Sequence, residues 1–168
     1  AGRGELAESL SARAAALGIS GRLHLLGLRD DIPNLLAAAD LFVQPSLEEG
    51  LPIAVLEAMF AGRAIVASDV GEIGTALGEG SGLVVPPGDP AALAASIRRV
   101  LDHPPEAAAL GACASRRAAS VYGLDSMVAR YAHIYSRALR HAPGMNGARV
   151  EPALPAPARE LSVRLSAE

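Results

Sequence analysis

Short apolar runs alternate with helical segments along most of this chain, and this alternation restricts the folds that the chain can adopt. Four runs, at 22–27, 41–44, 64–67 and 83–85, are predicted strands, since glycine, proline or polar turn residues bound them. Helical segments, rather than hairpin dipeptides, separate these runs. Strands that alternate with helices favour a parallel sheet. The pattern therefore predicts an α/β fold with helices on both faces of the sheet.

The second of these strands leads through an acidic turn into a helix. The strand 41–44 is followed by the turn 45–50, and Pro52 stands where a helix begins. The predicted helix spans 53–61, and Gly62 ends it. A helix start offers free N–H groups and the positive end of a dipole, which favour phosphate. In open α/β sheets, this strand–turn–helix order builds ligand sites.

Two carboxylates flank this helix start. Glu57 lies on a helix that is apolar all round, so we expect the helix and this carboxylate to be buried. Glu49 lies in the turn. Carboxylates suit hydroxyl-rich groups, and an anion site between them suits a diphosphate, which together describe a nucleotide sugar. The alternatives are that Glu57 pairs with Arg63 for packing alone, and that Glu49 is a solvated turn residue like Glu48.

The spacing Glu49-x7-Glu57, with the flanking segments 39–46 and 61–71, resembles the signature of retaining, family-4-like (group 1) GT-B glycosyltransferases. The likeness covers residues 1 to about 140. It implies a partial Rossmann-like, nucleotide-sugar-binding domain at 1–140, the C-terminal half of a GT-B fold, truncated at its N-terminus. We expect 141–168 to be a disordered tail. The resemblance also implies that the acceptor-binding N-terminal domain is missing and that the fragment alone is inactive.

The resemblance implies hexosyl transfer with retention from a nucleotide-diphosphate sugar to an unidentified acceptor. Glu49 would hold donor-sugar hydroxyls as the catalytic residue, and Glu57 would hold the ribose. The implied donor-binding set is Glu49, Gly50, Leu51, Pro52, Ile53 and Glu57, with backbone groups of Gly27, Leu28 and Arg29 lining the base pocket. We expect no metal site and no cofactor besides the donor. A non-catalytic nucleotide-binding module and a GT-B-like sugar epimerase are the alternatives.

One wall of the expected site departs from the resembled family. The family pattern Gly-Gly-x-Pro-Glu is replaced here by the segment 71–75, which lacks the proline and has Thr75 in place of the glutamate. Glu72 either takes over part of the role of that glutamate or caps the helix that follows, and we expect the cap. Asp30 and Asp31 are predicted to cap the helix 32–38, because they precede an apolar helical run, and Asp89 is the predicted N-cap of the helix 90–101.

Composition excludes several classes of function. All fifteen basic residues are arginine, the net charge is −3 and aromatic residues are 3%, so nucleic-acid binding is not expected. Arginine without lysine, with abundant alanine, indicates a GC-rich genome, and we expect a bacterial one. No apolar run reaches the roughly 18–20 residues that cross a membrane. The single Cys113 excludes an internal disulfide. We expect a cytoplasmic protein, or one peripheral to the inner face of the membrane.

Overall fold

The structure, a computed structural model, describes residues 2–78 and 80–140. The helices are Ala7–Ala16 (α1), Ile32–Ala38 (α2), Ile53–Phe60 (α3), Ile73–Leu77 (α4), Pro90–Asp102 (α5), Pro104–Tyr122 (α6) and Leu124–Arg140 (α7). The strands are Leu41–Gln44 (β1), Ala64–Ser68 (β2) and Leu83–Val85 (β3), and a short 3-10 helix spans Ser20–Arg22. Strands and helices alternate from β1 to α5, as predicted.

The three strands form a parallel sheet in the order β1-β2-β3. Every residue of β2 is buried, which is expected of a central strand covered on both faces. Ile65 and Ala67 pack in a core with α3, α4 and α6, whereas Ala64 and Val66 pack with α5 in a second core. Successive side chains of a strand point to opposite faces, so helices cover both faces of the sheet. The predicted α/β layering is confirmed.

Helix α6 packs closely on the end of α3 through two glycines. A Cβ atom at Gly111 would overlap the carbonyl oxygen of Gly62. Gly62 itself has a φ of 65°, the left-handed conformation that glycine adopts at helix ends. The predicted role of Gly62 as the helix stop is therefore confirmed, and α3 ends one residue earlier than predicted.

The predicted strand at 22–27 is wrong. After the 3-10 helix the segment runs without secondary structure, and no ladder joins it to a strand within the described residues. Its side chains are exposed, including His24, Leu25 (49%) and Leu26 (45%). A strand gains its stability from ladder partners and from burial against a neighbouring layer, and this segment has neither here.

Of the predicted helix caps, one forms as expected. The Oδ1 atom of Asp89 accepts hydrogen bonds from the N–H groups of Ala91 (3.0 Å) and Ala92 (2.9 Å) at the start of α5. Asp31 and Glu72 do occupy the N-cap positions of α2 and α4, but neither side chain makes a capping bond. The carboxylate of Asp31 accepts from Arg29 instead, and the backbone of Glu72 has a different partner, described below.

The chain divides into two compact units between Tyr122 and Gly123. The described part of the second unit is α7, on which Tyr131 and Tyr135 form a ring pair 6.1 Å apart. The tail predicted at 141–168 lies outside the described residues. Across residues 2–78 and 80–140, no helix combines the length and apolar character needed to span a membrane.

Candidate functional site

Glu49 sits in the turn after β1 and is held by two neighbouring side chains. Its Oε1 atom accepts hydrogen bonds from Nε2 of Gln44 (3.0 Å) and from the hydroxyl of Ser46 (3.0 Å). Gln44 also donates to Ser46 Oγ at 2.9 Å. All three side chains are half-buried, whereas Glu48 is exposed. The alternative in which Glu49 is a solvated turn residue like Glu48 does not fit this arrangement.

The backbone of the same turn is fixed by the loop that follows β2. The N–H of Glu72 donates to the carbonyl of Gly50 at 2.9 Å. Gly71 has a φ of 53°, and a Cβ atom there would overlap the carbonyl oxygens of both Glu49 and Gly50. Only glycine fits so close an approach at this φ. Gly71 and Glu72, at the start of the segment 71–75, therefore lie against the acidic turn.

The start of α3 is open. Pro52 occupies the N-cap position in an extended conformation (φ −70°, ψ 127°), and Ile53 is the first helical residue, as predicted. Within the described residues, no group accepts from the N–H of Leu51 or Ile53. The side chain of Ile53 is 72% exposed. Unsatisfied N–H groups at an exposed helix N-terminus form an anion-binding site of ordinary type.

Glu57 is exposed, so its predicted burial is wrong. Helix α3 is apolar all round in sequence, but it buries only the face that carries Val55, Ala58 and Met59. The other face carries Ile53, Glu57 and Phe60 and is exposed. In the described residues no layer packs on that second face, so an apolar composition did not by itself require burial.

Glu57 lines a groove of about 440 Å³ between α2 and α3. The groove is mostly apolar, and its other lining residues are Ile32, Pro33, Leu36, Ala37, Phe60, Ala61 and Arg63. The guanidinium of Arg63 donates to the carbonyl oxygens of Ala61 (3.1 Å) and Ala39 (3.1 Å), not to Glu57. The alternative of a buried Glu57–Arg63 packing pair is therefore wrong.

The segment Gly27–Arg29 shows no hydrogen bond or ion pair to the acidic turn or α3 within the described residues. The carbonyl of Gly27 accepts from the N–H of Gly2 at 2.6 Å, and Leu28 is 65% exposed. Arg29 forms an ion pair with Asp31, in which the guanidinium hydrogen bonds lower the pKa of the Asp31 carboxyl. The structure thus brings Glu49, Gly50 and the start of α3 together, and it does not join Gly27–Arg29 to them.

Sequence reasoning missed Gln44 and Ser46 as partners of Glu49. The available signal was Gln44, the only polar residue of its strand and the only glutamine in the chain. Sequence reasoning also missed Arg117, whose guanidinium donates to the carbonyls of Thr75 (2.8 Å) and Ala76 (2.7 Å) and so caps the end of α4. Within residues 2–78 and 80–140, no group of three or more His, Cys, Asp or Glu side chains is arranged to hold a metal ion.

A parallel sheet whose strand end leads into an open helix N-terminus is the ligand-binding arrangement of open α/β domains. Within that class, the chain belongs to the family of glycosyl transferases group 1, whose model matches residues 1–103. The implied fold, the Rossmann-like C-terminal half of GT-B, is confirmed by the likeness to solved glycosyltransferase structures.

Among its relatives, the chain is 39% identical to D-inositol 3-phosphate glycosyltransferase of Thermobispora bispora, over 75% of this chain and 30% of that protein. It is 37% identical to MMP alpha-(1->4)-mannosyltransferase of Mycolicibacterium hassiacum, over 74% of this chain and 31% of that protein. The chain thus spans about a third of the length of the curated relatives it matches.

Among solved structures, the chain is similar to Anabaena HepE in complex with UDP, with a TM-score of 0.74 and 27% identity. The match covers 77% of this chain and 36% of HepE. HepE has also been solved with UDP-glucose. Sucrose-phosphate synthase of Thermosynechococcus elongatus matches with a TM-score of 0.74 and 26% identity, over 80% of this chain and 35% of that one.

Proposed function

We propose that this chain is the donor-binding part of a retaining glycosyltransferase that takes a hexosyl group from a nucleoside-diphosphate sugar. The observation that carries the proposal is the pairing of a held carboxylate, Glu49, with the open N-terminus of α3. The complexes of HepE with UDP and UDP-glucose support a nucleotide-sugar donor. The family match favours transfer over the epimerase alternative.

The diphosphate binds at the start of α3 in this proposal. The N–H groups of Leu51 and Ile53 donate to phosphate oxygens, while Pro52 has no N–H to offer. Donors that are already aimed stabilise negative charge as it develops on the departing diphosphate, and they need no reorganisation. The positive end of the helix dipole adds to the same effect.

The two glutamates bind different parts of the donor, the sugar and the ribose. Glu49 accepts from sugar hydroxyls beside the transferred carbon, and Glu57 accepts from the two ribose hydroxyls. A carboxylate matches a vicinal diol, because its two oxygens accept two donors, and each charge-assisted bond contributes roughly 1.5–3 kcal/mol. Exposure of Glu57 at the rim of an apolar groove supports a ligand role over a packing role. Backbone groups of Gly27, Leu28 and Arg29 contact the base.

The acceptor in this proposal is held by residues outside this chain, which is supported by the short span of the chain along its curated relatives. Donor binding uses no divalent metal and no further cofactor in this proposal, because the helix start already provides positive potential. We place the protein in the cytoplasm, or peripherally at the inner face of the membrane.

A ligand panel tests the proposal. The melting temperature of the purified chain is measured with UDP, GDP, UDP-glucose or GDP-mannose, first in EDTA and then in Mg²⁺. At about 100 times its Kd, a matching nucleotide adds roughly 2.7 kcal/mol to the free energy of unfolding. We therefore expect the melting temperature to rise by several degrees with one base, equally with and without Mg²⁺.

Two results would contradict the panel's expectation. If none of the four ligands raises the melting temperature, the proposed donor-binding role is wrong. Stabilisation that disappears in EDTA and returns with Mg²⁺ removes the metal-independent mechanism and leaves donor binding in place. Inorganic phosphate serves as the control, since it reaches the helix start but offers neither ribose nor sugar.

A further inference from the structure

Gln44 links the end of β1 to the side chain of Glu49. Its Nε2 group uses both protons, one toward Ser46 Oγ (2.9 Å) and one toward Glu49 Oε1 (3.0 Å). An ionised carboxylate only accepts hydrogen bonds, so the nitrogen of the Gln44 amide, not its oxygen, must face Glu49. Ser46 Oγ then donates to the same Oε1 atom at 3.0 Å, which closes a ring of three side chains.

This ring holds one carboxylate oxygen and leaves the other available. Oε1 of Glu49 accepts twice, whereas no described residue donates to Oε2. Each carboxylate oxygen has two acceptor sites. Glu49 is therefore fixed in orientation on one side while its second oxygen remains free to accept from a ligand.

The backbone beneath Glu49 is fixed by separate contacts. The N–H of Glu72 holds the carbonyl of Gly50, and Gly71 packs against the carbonyls of Glu49 and Gly50. Gln44 is itself anchored, because β1 pairs with the buried central strand along its whole length. A functional carboxylate built in this way is held by a rigid element rather than by a free loop.

We propose that Gln44 and Ser46 are positioning residues that aim Glu49 at the donor sugar, so that sugar recognition depends on both. The inference rests on the proposed function and extends it to two side chains that do not themselves touch the donor. A purely structural role would make both residues matter for folding of the turn, and hence for nucleotide and nucleotide sugar alike. A positioning role makes them matter for the sugar alone.

The hydrogen-bond ring has a readout that needs no ligand. Because Gln44 is the only glutamine in the chain, ¹⁵N labelling of glutamine side chains gives one NH₂ signal. We expect Glu49→Ala to shift both proton resonances and to speed their exchange with water. The matched control, Glu48→Ala, removes an exposed carboxylate from the same turn and leaves the signal in place. If the Gln44 NH₂ resonances are the same in Glu49→Ala as in the wild type, the inference is wrong, whether or not the chain binds nucleotides.

The positioning role is tested with Gln44→Met and Ser46→Ala, which remove the donors at nearly constant volume. In calorimetric titrations we expect each variant to bind UDP-glucose about threefold to tenfold more weakly than the wild type, with UDP affinity unchanged. GDP-mannose and GDP replace this pair if guanine is the base that stabilises the chain. Ser46→Thr keeps a hydroxyl and should restore most of the sugar affinity.

The outcomes separate the two proposals. If the wild-type chain binds neither UDP-glucose nor GDP-mannose, the proposed function fails, and with it the claim about sugar recognition. If the wild type binds UDP-glucose and both variants bind it equally well, the positioning role alone is wrong. Equal weakening toward UDP and UDP-glucose also overturns it, since that result indicates a general change in the turn.

Discussion

Glu49 and Glu57 are the same residue type, eight positions apart, and the fold gives them different surroundings. Glu49 is half-buried with two donors on one oxygen, and Glu57 is exposed at the edge of an apolar groove. A ligand therefore meets a carboxylate held by two donors at the first, and an exposed carboxylate at the second. This difference gives the two residues separable effects on binding.

Glu57→Gln and Glu49→Gln test the division of roles, because each keeps the side-chain shape and removes the charge. We expect Glu57→Gln to weaken UDP and UDP-glucose alike, by roughly 1–3 kcal/mol, since both ligands contain the ribose. Glu49→Gln should weaken only UDP-glucose, by a similar amount. Calorimetric titration of both variants with both ligands measures the four affinities.

The assignment of Glu49 fails if Glu49→Gln weakens UDP as much as UDP-glucose. That of Glu57 fails if Glu57→Gln binds both ligands normally. Melting temperatures of both variants, measured without ligand, provide the control for folding. An exposed Glu57 should leave the melting temperature close to that of the wild type, because surface substitutions usually change stability by less than about 0.5 kcal/mol.

At the scale of single elements, the sequence predicted structure well wherever local chemistry decides it. Helix α2, strand β1 and the start of α5 have their predicted bounds, because proline, aspartate and glycine mark their ends. The prediction of a strand at 22–27 was wrong, because a strand depends on neighbouring strands for its stability and the local sequence does not encode them. The prediction that α3 is buried on all sides was wrong for a related reason. The composition of a helix does not show how many of its faces pack against other elements.

In the site, too, features that depend on local sequence were predictable, and contacts between particular side chains were not. The turn, the helix start and the wall at 71–75 follow from strand ends and from glycine, so their juxtaposition was predictable. The ring formed by Gln44, Ser46 and Glu49 was not predicted, because the sequence did not indicate which polar side chains would meet. Arg63 was expected to bind a carboxylate, yet backbone carbonyls at a helix end served as its acceptors.

The N-cap of α5 provides a test at the level of one helix. Asp89→Ala removes the acceptor of the Ala91 and Ala92 N–H groups and should destabilise the chain by about 1 kcal/mol. Thermal unfolding should show a fall of roughly 2–4 °C in melting temperature. Asp102→Ala, at the opposite end of the same helix, is the matched control. It should leave stability unchanged or slightly raised, because a carboxylate near a helix C-terminus is unfavourable. Equal losses in the two variants would show that the cap contributes nothing.

At the scale of the whole molecule, the chain spans about 30% of the glycosyltransferases that it resembles in sequence. In the proposed function, residues of this chain hold the donor and residues outside it hold the acceptor. We expect the purified 168-residue chain to bind nucleotide sugar without transferring it. Incubation with UDP-glucose or GDP-mannose, sugar or lipid-linked acceptors, and product analysis measures this. Steady product formation would show that the chain holds a complete active site.

The contact of Gly71 with the acidic turn also bears on how such a domain can be re-engineered or diversified. The main chain of the turn is held by contacts with Gly71 and Glu72, and the side chains at positions 48 and 51 are exposed. Those two positions are therefore open to randomised libraries that aim to change sugar preference without moving the main chain. A turn grafted from another transferase, by contrast, should transfer its selectivity only when the loop after β2 is exchanged together with it.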